Sequence, residues 1–546
     1  MLRGSRLVAL APPALLIGLL GAPLLHALWA ATAAACDTAA WRALADDPQT
    51  WRALALSVWS GVASALLAVA VAAWLLRHSF GSPLWQQLVR RLAPMLAVPH
   101  AAFAIGLVLL VAPSGWLLRA VSPWASGLSA PPPWATTQDP WALGLIAVLV
   151  AKEVPFLLWA AATHLQRPDV AQRLCRELQL AHSMGYGSGA AWWRVAWPQL
   201  RPRLLWPMLA VLAYSMTVVD VALVIGPGSP PTLGMLAWNW LLDANPATNA
   251  QGAAGAWLLT LALAGCTVVL WAGTRAPAWR RRWSDGRRGT VTVRFGARAG
   301  ALCLGVLVAT YLAVMLALAV GSVSGVWPFP ALLPRTFTWD AWASVWRSAR
   351  TIGTTSSLGL ASAAAALVWS VAWLECAPAA WDAWLRKLVY LPLVLPSVLW
   401  VVGIHATALA LGIDASWPGL WLAHTLACVP YVLIALTPAY SGFDPRFAQV
   451  AASLGRGRLQ FLLAVKWPLL RAALAASLAV GFAVSVAQYL PTLFIGAGRF
   501  NTVTTEAVTL AAGAQRSLTA AYAWLQWLLP ATGFALAAWA GRPRRW

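Results

Sequence analysis

Apolar runs of about twenty residues recur along the whole chain, separated by short polar stretches rich in arginine. A helix that crosses a hydrocarbon core of about 30 Å needs about 20 largely apolar residues, so the pattern predicts a polytopic, all-α membrane protein. Twelve spans are expected. The first half places them at about 7–31, 54–76, 92–110, 143–163, 204–225 and 254–271. The second half places them at about 300–320, 358–374, 388–410, 420–436, 474–495 and 520–539. The first run follows Arg3 and Arg6 and ends in alanines, as a cleavable leader would. Its length and the even spacing of the runs behind it favour an uncleaved anchor.

Charge supplies the topology. Basic residues accumulate in cytoplasmic loops, and they alternate here. Asp37, Asp46 and Asp47 mark the first loop as outer, Arg77, Arg90 and Arg91 the next as inner, and the nearly uncharged stretch around Pro131, Pro132 and Pro133 as outer again. From Arg275 to Arg294 there are seven arginines and one acid, Asp285, which is the strongest cytoplasmic marker and the natural linker between halves. With an even number of spans, both termini fall on the cytoplasmic side. Each half also has an even number, so the two run parallel and relate by an axis along the membrane normal, with any translocation path near that axis.

One polar stretch occurs twice, each time between the fourth and fifth span of its half. The first copy is Gln179-Leu180-Ala181-His182-Ser183-Met184-Gly185, continuing to Arg194-Val195-Ala196-Trp197-Pro198-Gln199-Leu200-Arg201. The second is Gln449-Val450-Ala451-Ala452-Ser453-Leu454-Gly455, continuing to Val465-Lys466-Trp467-Pro468-Leu469-Leu470-Arg471. Gly185 and Gly455, Trp197 and Trp467, Pro198 and Pro468, and Arg201 and Arg471 are all 270 residues apart, the mark of an internal repeat. Each copy reads as a helix ended by a glycine that tolerates positive φ, then a second helix stopped by Trp-Pro. An amphipathic interfacial helix without a partner is the plainer alternative. A weaker repeat lies in the third span of each half: Val98-Pro99 is followed by Gly106, and Leu395-Pro396 by Gly403, seven residues from proline to glycine both times.

Composition narrows the class. At 60% hydrophobic and 10% charged residues the chain is too apolar for a soluble protein. The net charge of +22 would point to nucleic acid in a soluble chain, but here it follows the loops. Thirty-seven tryptophans suit interfacial anchoring. The six cysteines are scattered without metal or disulfide spacing. There is no phosphate-binding loop, nucleophile elbow or metalloprotease motif. The chain therefore reads as a pore, not an enzyme. It is expected to hold no cofactor of its own.

Ionisable residues inside a bilayer are costly and mark function or structural pairing. Lys152 and Glu153 fall in the fourth span and Asp220 in the fifth, with Gln488 and Tyr489 in the span that corresponds to it. A structural ion pair or inter-helix hydrogen bond is one reading. The other is a translocation path with a negative focus for a cationic substrate, which Lys152 beside Glu153 would weaken. His100, His405 and His424 are isolated and expected to satisfy local hydrogen bonds.

The repeated stretch resembles the "EAA" loop of ABC-importer permeases, whose small-residue helix and fixed glycine form the coupling helix that docks on the ATPase. Gln179 and Gln449 stand where that family usually has glutamate. By that resemblance Gln179, Ala181, Gly185, Pro198, Gln449, Ala451, Gly455 and Pro468 form the ATPase-coupling sites. The double length resembles the fused type I permeases of thiamine, ferric-iron and polyamine-type ABC importers, and Ser485 to Phe500 with Thr504-Thr505-Glu506-Ala507 is similar to thiamine-type inner-membrane permeases. The likeness covers roughly 51–541, apart from the first span of each half. It implies ABC transmembrane type-1 domains at 51–274 and 346–541. Around them lie an anchor and outer loop at 1–50, a basic linker at 275–297 and a seventh span with outer loop at 298–345. It further implies an inner-membrane location, two ATPase copies, a periplasmic solute-binding protein and a small solute such as thiamine as cargo. An ion-coupled secondary transporter with two six-helix halves is the main rival, with an exporter or channel and a membrane enzyme behind it. A carrier of that kind predicts more charges in the spans and no coupling stretch.

Overall fold

The computed structural model describes residues 2–34, 36–275, 294–393, 395–513 and 515–542. Most of the basic linker, 276–293, and the C-terminal Arg544 and Arg545 lie outside the described residues. Among those described there is no β-strand, only an isolated bridge between Ser324 and Phe337.

The first half runs α1 (Leu2–Ala34), α2 (Thr38–Asp46), α3 (Thr50–Ser79), α4 (Pro83–Leu96), α5 (His100–Val111), α6 (Trp116–Val121), α7 (Leu143–Leu165), α8 (Pro168–Ser183) and α9 (Ser188–Ala191). A π turn (Trp192–Ala196) then leads to α10 (Trp197–Thr217), α11 (Asp220–Ile225), α12 (Leu233–Leu241) and α13 (Pro246–Arg275). The second half repeats the order. It runs α14 (Arg294–Ser322), α15 (Asp340–Arg347), α16 (Ala349–Cys376), α17 (Ala379–Val389), α18 (Ser397–Ala410), α19 (Trp417–Ser441), α20 (Arg446–Ser453) and α21 (Arg458–Phe461). A second π turn (Leu462–Lys466) leads to α22 (Trp467–Leu469), α23 (Arg471–Val486), α24 (Leu490–Gly496), α25 (Val503–Ala511) and α26 (Arg516–Ala540).

Eight described helices are long and apolar enough to cross a membrane, or ten if each of two bent helix pairs is one span. The other two expected places, the fifth and the twelfth, are filled by α10 and α26. These helices fall short in composition rather than length: α10 carries Arg201, Arg203 and three prolines, and α26 carries Arg516 and Gln526. Several expected spans are also broken. Residues before a proline avoid the helical region, so the third span ends α4 before Val98-Pro99 and restarts as α5 at His100. The fifth breaks at Val218-Val219 and the eleventh at Ala487-Gln488-Tyr489.

The chain forms two compact units that do not follow its halves. One comprises residues 1–36 and 340–546, the other 37–339. The first helix of each half therefore belongs with the unit built mainly from the other half. In the 37–339 unit α14 packs on α5, and in the other unit α1 packs on α18. The repeated glycine explains the seat. A Cβ on Gly106 would lie 2.6 Å from Val314 Cγ1 and 2.9 Å from the Val314 carbonyl oxygen. One on Gly403 would lie 2.2 Å from the carbonyl oxygen of Ala27. Small residues let helix backbones approach closely in membranes, where packing rather than the hydrophobic effect drives association. Beside Gly403, His26 Nδ1 and Thr407 Oγ1 are hydrogen-bonded at 3.0 Å, and Leu20, Leu24 and Ala27 enter a core with Trp373, Leu385 and Leu433. The core of the other unit gathers Leu75, Leu76, Leu88, Leu157, Leu158 and Leu204.

Both units also cap the helix after the broken span in the same way. The Leu233 N–H opening α12 donates to Ser57 Oγ of α3 at 2.8 Å. The Val503 N–H opening α25 donates to Thr355 Oγ1 of α16 at 2.9 Å. Helix starts leave N–H groups unpartnered, and here a spanning helix supplies the acceptor.

Because the contact at Gly403 is with backbone, Gly403→Leu is expected to displace α1 and to cost about 1–3 kcal/mol, as overpacking a filled site does. A lowered thermal midpoint of the solubilised protein, with no such drop for Gly305→Leu, where a Cβ meets nothing, checks it.

Candidate functional site

The two repeated stretches fold alike. Helix α8 ends at Ser183 and α20 at Ser453, each followed by one more residue and the glycine. Gly185 has φ +87° and Gly455 φ +70°, the left-handed region that costs other residues about 1–2 kcal/mol. The Gly185 N–H donates to the His182 carbonyl at 2.9 Å and the Tyr186 N–H to that of Ala181 at 3.0 Å. The Gly455 N–H donates to Ala452 at 3.0 Å and the Arg456 N–H to Ala451 at 2.9 Å. This double closure satisfies the last carbonyls of each helix and turns the chain sharply away. A second short helix starts after Gly187 or Gly457.

Contrary to the expectation, that second helix runs on past Trp-Pro in the first copy, whereas in the second it ends at Leu469. It widens into a π turn in both copies and then continues, with Trp197 N–H bonded to the Trp192 carbonyl and Trp467 N–H to that of Leu462. A proline inside a helix lacks its N–H and clashes with the carbonyl four residues back; a five-residue repeat just before it relieves the clash. Pro198 and Pro468 follow the π turn directly, as the second residue of α10 and of α22. The copies then diverge: α10 continues to Thr217, whereas α22 ends at Leu469 and the path bends by 76° into α23.

Within α8 and α20 the faces match. Ala181 and Ala451 are buried, while Gln179 and Gln449 are exposed, as are Pro198 and Pro468 beyond them. Four residues apart on the outer face stand large apolar side chains, Leu180 and Met184 at 63% and 54% exposure and Val450 and Leu454 at 57% and 71%. This apolar pair repeats in register, at 180/450 and 184/454, and is legible in the sequence. In the first copy Glu177 accepts from Gln199 and, at 2.9 Å, from Arg173, and these bonds hold its carboxyl below the usual range. Position 447 in the second copy is Phe447, so that link is not repeated.

The intramembrane residues separate into two settings. Lys152 is buried and its Nζ donates to the carbonyls of Met95, at 3.1 Å, and Val98, which face the break before Pro99. It also lies 5.5 Å from the ring centre of Tyr311. Glu153, one residue on, turns to His100 Nε2 at 3.1 Å, and the His100 ring lies 4.7 Å from that of Tyr214. Asp220 opens α11, which packs on α5 and α7, the helices of His100 and Glu153. In the other unit Ala427 and Cys428 precede Val429-Pro430 as Lys152 and Glu153 precede Val154-Pro155. Polarity there comes from His424, bonded to Ser485 Oγ at 2.7 Å and Thr492 Oγ1 at 3.0 Å. Gln488 reaches back to the Val484 carbonyl at 3.3 Å and Tyr489 is buried at the break. His405 meets Asp414 at 3.2 Å.

Sequence reasoning missed one further cluster, at Glu375, Tyr440, Arg458 and Lys466. Its signal was the pair of bases in the second copy, which correspond to Ser188 and Ala196 in the first.

An all-helical membrane chain with two register-matched helix–glycine–helix segments and no nucleotide-binding motif has the makeup of a transporter's membrane subunit. Comparison with known proteins agrees. The chain is 34% identical over 542 residues to the "Inner membrane ABC transporter permease protein YnjC" of Escherichia coli (strain K12), covering 97% of this chain and 96% of that one. Over 108 residues it is 25% identical to the "Spermidine/putrescine transport system permease protein PotC" of Haemophilus influenzae, covering 20% of this chain and 42% of that one. The PotC of Escherichia coli (strain K12) is 23% identical over the same length. No family model matches the chain. The protein belongs to the inner-membrane ABC transporter permeases.

Lys152→Met would leave the buried Val98 carbonyl without its charged donor, at about 1–3 kcal/mol for an orphaned polar group. A lowered thermal midpoint is the expected outcome. An unchanged midpoint with altered uptake would instead place Lys152 on the substrate.

Proposed function

We propose that this chain is the permease subunit of an ABC importer. It forms the path for a small solute, thiamine or another small cation, delivered by a periplasmic binding protein and driven by two copies of a cytoplasmic ATPase that consumes ATP. The transmembrane type-1 domains lie at 51–274 and 346–541, and both termini and both coupling segments face the cytoplasm of the inner membrane. The observation that carries this reading is the pair of glycine-terminated helices α8 and α20, each with an exposed apolar pair facing away from its own unit. Large apolar side chains in such an arrangement mark a protein contact, and two equivalent contacts call for two equivalent partner subunits. Gly185 and Gly455 fix the angle at which each helix leaves the segment behind it, so a push on the helix is passed on as a turn of a rigid lever.

A cationic cargo is supported by Asp220 and Glu153 on neighbouring helices and by the polyamines in the names of the shorter relatives. Lys152 is held by backbone carbonyls, which lessens its weight against that negative focus.

The first test is a pull-down from gently solubilised membranes with the native chain and a Gly185→Trp, Gly455→Trp variant. An ATPase that co-purifies with the native chain and is lost from the variant is the expected result. No ATPase in either sample, with uptake persisting after ATP depletion, would favour an ion-coupled carrier. For the cargo, Asp220→Asn should lower thiamine uptake by vesicles while leaving the chain in the membrane; unchanged uptake removes Asp220 from the path.

A further inference from the structure

The second coupling segment is tied to a spanning helix by a charge cluster that the first copy lacks. Glu375 stands one residue before the end of α16 with its side chain 12% exposed. Its Oε1 accepts from Lys466 Nζ and, at 2.6 Å, from the Tyr440 hydroxyl. Its Oε2 accepts from Arg458 Nη2 at 3.2 Å, and the same guanidinium donates to the Glu375 backbone carbonyl. Trp467 Nε1 donates to the Tyr440 hydroxyl at 3.1 Å, and Lys466 Nζ lies 4.0 Å from the centre of the Tyr440 ring. Arg458 is the first residue of α21 and Lys466 the last of the π turn, so one carboxylate grips both ends of the segment that follows Gly455.

The first copy has neither base, since Ser188 and Ala196 stand in their places. Helix α3, which precedes it as α16 precedes the second, ends in Arg77-His78-Ser79. Arg77 approaches the segment closely at Gly189, where a Cβ would lie 2.4 Å from its Nη2. In the first segment Glu177 is bonded to Arg173 within α8 and to Gln199 of α10.

A half-buried, multiply hydrogen-bonded ion cluster adds little net stability but holds one geometry, because losing any member strands the others. We infer that Glu375 is a positioning residue for transport: it locks the second coupling segment to α16 so that the two move as one body. This rests on the reading that both segments contact an ATPase.

Spin-label distance measurements test it without knowledge of the cargo. With the six cysteines replaced by alanine, nitroxides are placed on Val368→Cys in α16 and Ser453→Cys in α20, in nanodiscs with the co-purified ATPase. A narrow distance distribution, unmoved by ATP with vanadate, is expected. Glu375→Gln should broaden it and make it shift with vanadate, whereas Glu375→Asp, which keeps the charge, should leave it narrow. A Glu375→Gln distribution identical to that of the parent overturns the lock. If no ATPase co-purifies, the coupling reading fails, and the nucleotide-free widths of parent and Glu375→Gln still decide the lock.

Discussion

Every backbone polar group freed at a helix break inside a membrane protein has to find a partner within the protein, because lipid offers none. This structure contains many such breaks, and much of its detail answers to that constraint. Lys152 takes carbonyls from the interruption before Pro99. Ser57 and Thr355 accept the first N–H groups of α12 and α25. The π turns before Pro198 and Pro468 absorb a proline without leaving its neighbour's carbonyl in a clash. Gly185 and Gly455 close their helix ends by backbone bonds alone. Breaks satisfied in this way are available for function, since they re-aim a helix at fixed cost.

The repeat shows which of these devices belong to the fold and which to one half. The helix-ending glycines, the π turns, the hydroxyl caps and the glycine seats at Gly106 and Gly403 occur in both units. Duplicated features of that kind define the backbone plan common to the two units. The charged groups do not repeat. Lys152, Glu153 and His100 enrich one unit, where the other has the neutral set of His424, Ser485 and Thr492. The Glu375 cluster enriches the second coupling segment alone. Two halves with one backbone plan have thus been given different electrostatics.

Close approach is the second recurring theme. Among the described residues, the seats of α1 on α18 and α14 on α5 depend on glycines that admit a neighbouring backbone. The seven-residue spacing from proline to glycine makes sense only in this light: the proline starts the helix, and the glycine two turns on lies where the incoming helix crosses. The same crossing assigns each half's first helix to the other unit.

Hydrophobic runs, arginine placement and the 270-residue repeat were enough, from sequence alone, to establish a polytopic helical membrane protein and to single out Gly185, Gly455, Pro198 and Pro468. Those properties are local: burial in lipid depends on run length, and a left-handed glycine or an N–H-less proline acts on its own turn. The helix breaks at Val218-Val219 and Ala487-Gln488-Tyr489, the passage of the helix through Trp-Pro, and the exchange of first helices were decided by tertiary packing. So were the partners of Lys152, Glu153 and Glu375. A side chain's partner is chosen by helices that cross it from far along the chain, as Arg458 and Lys466 reach Glu375 across more than eighty residues, and no local pattern carries that information.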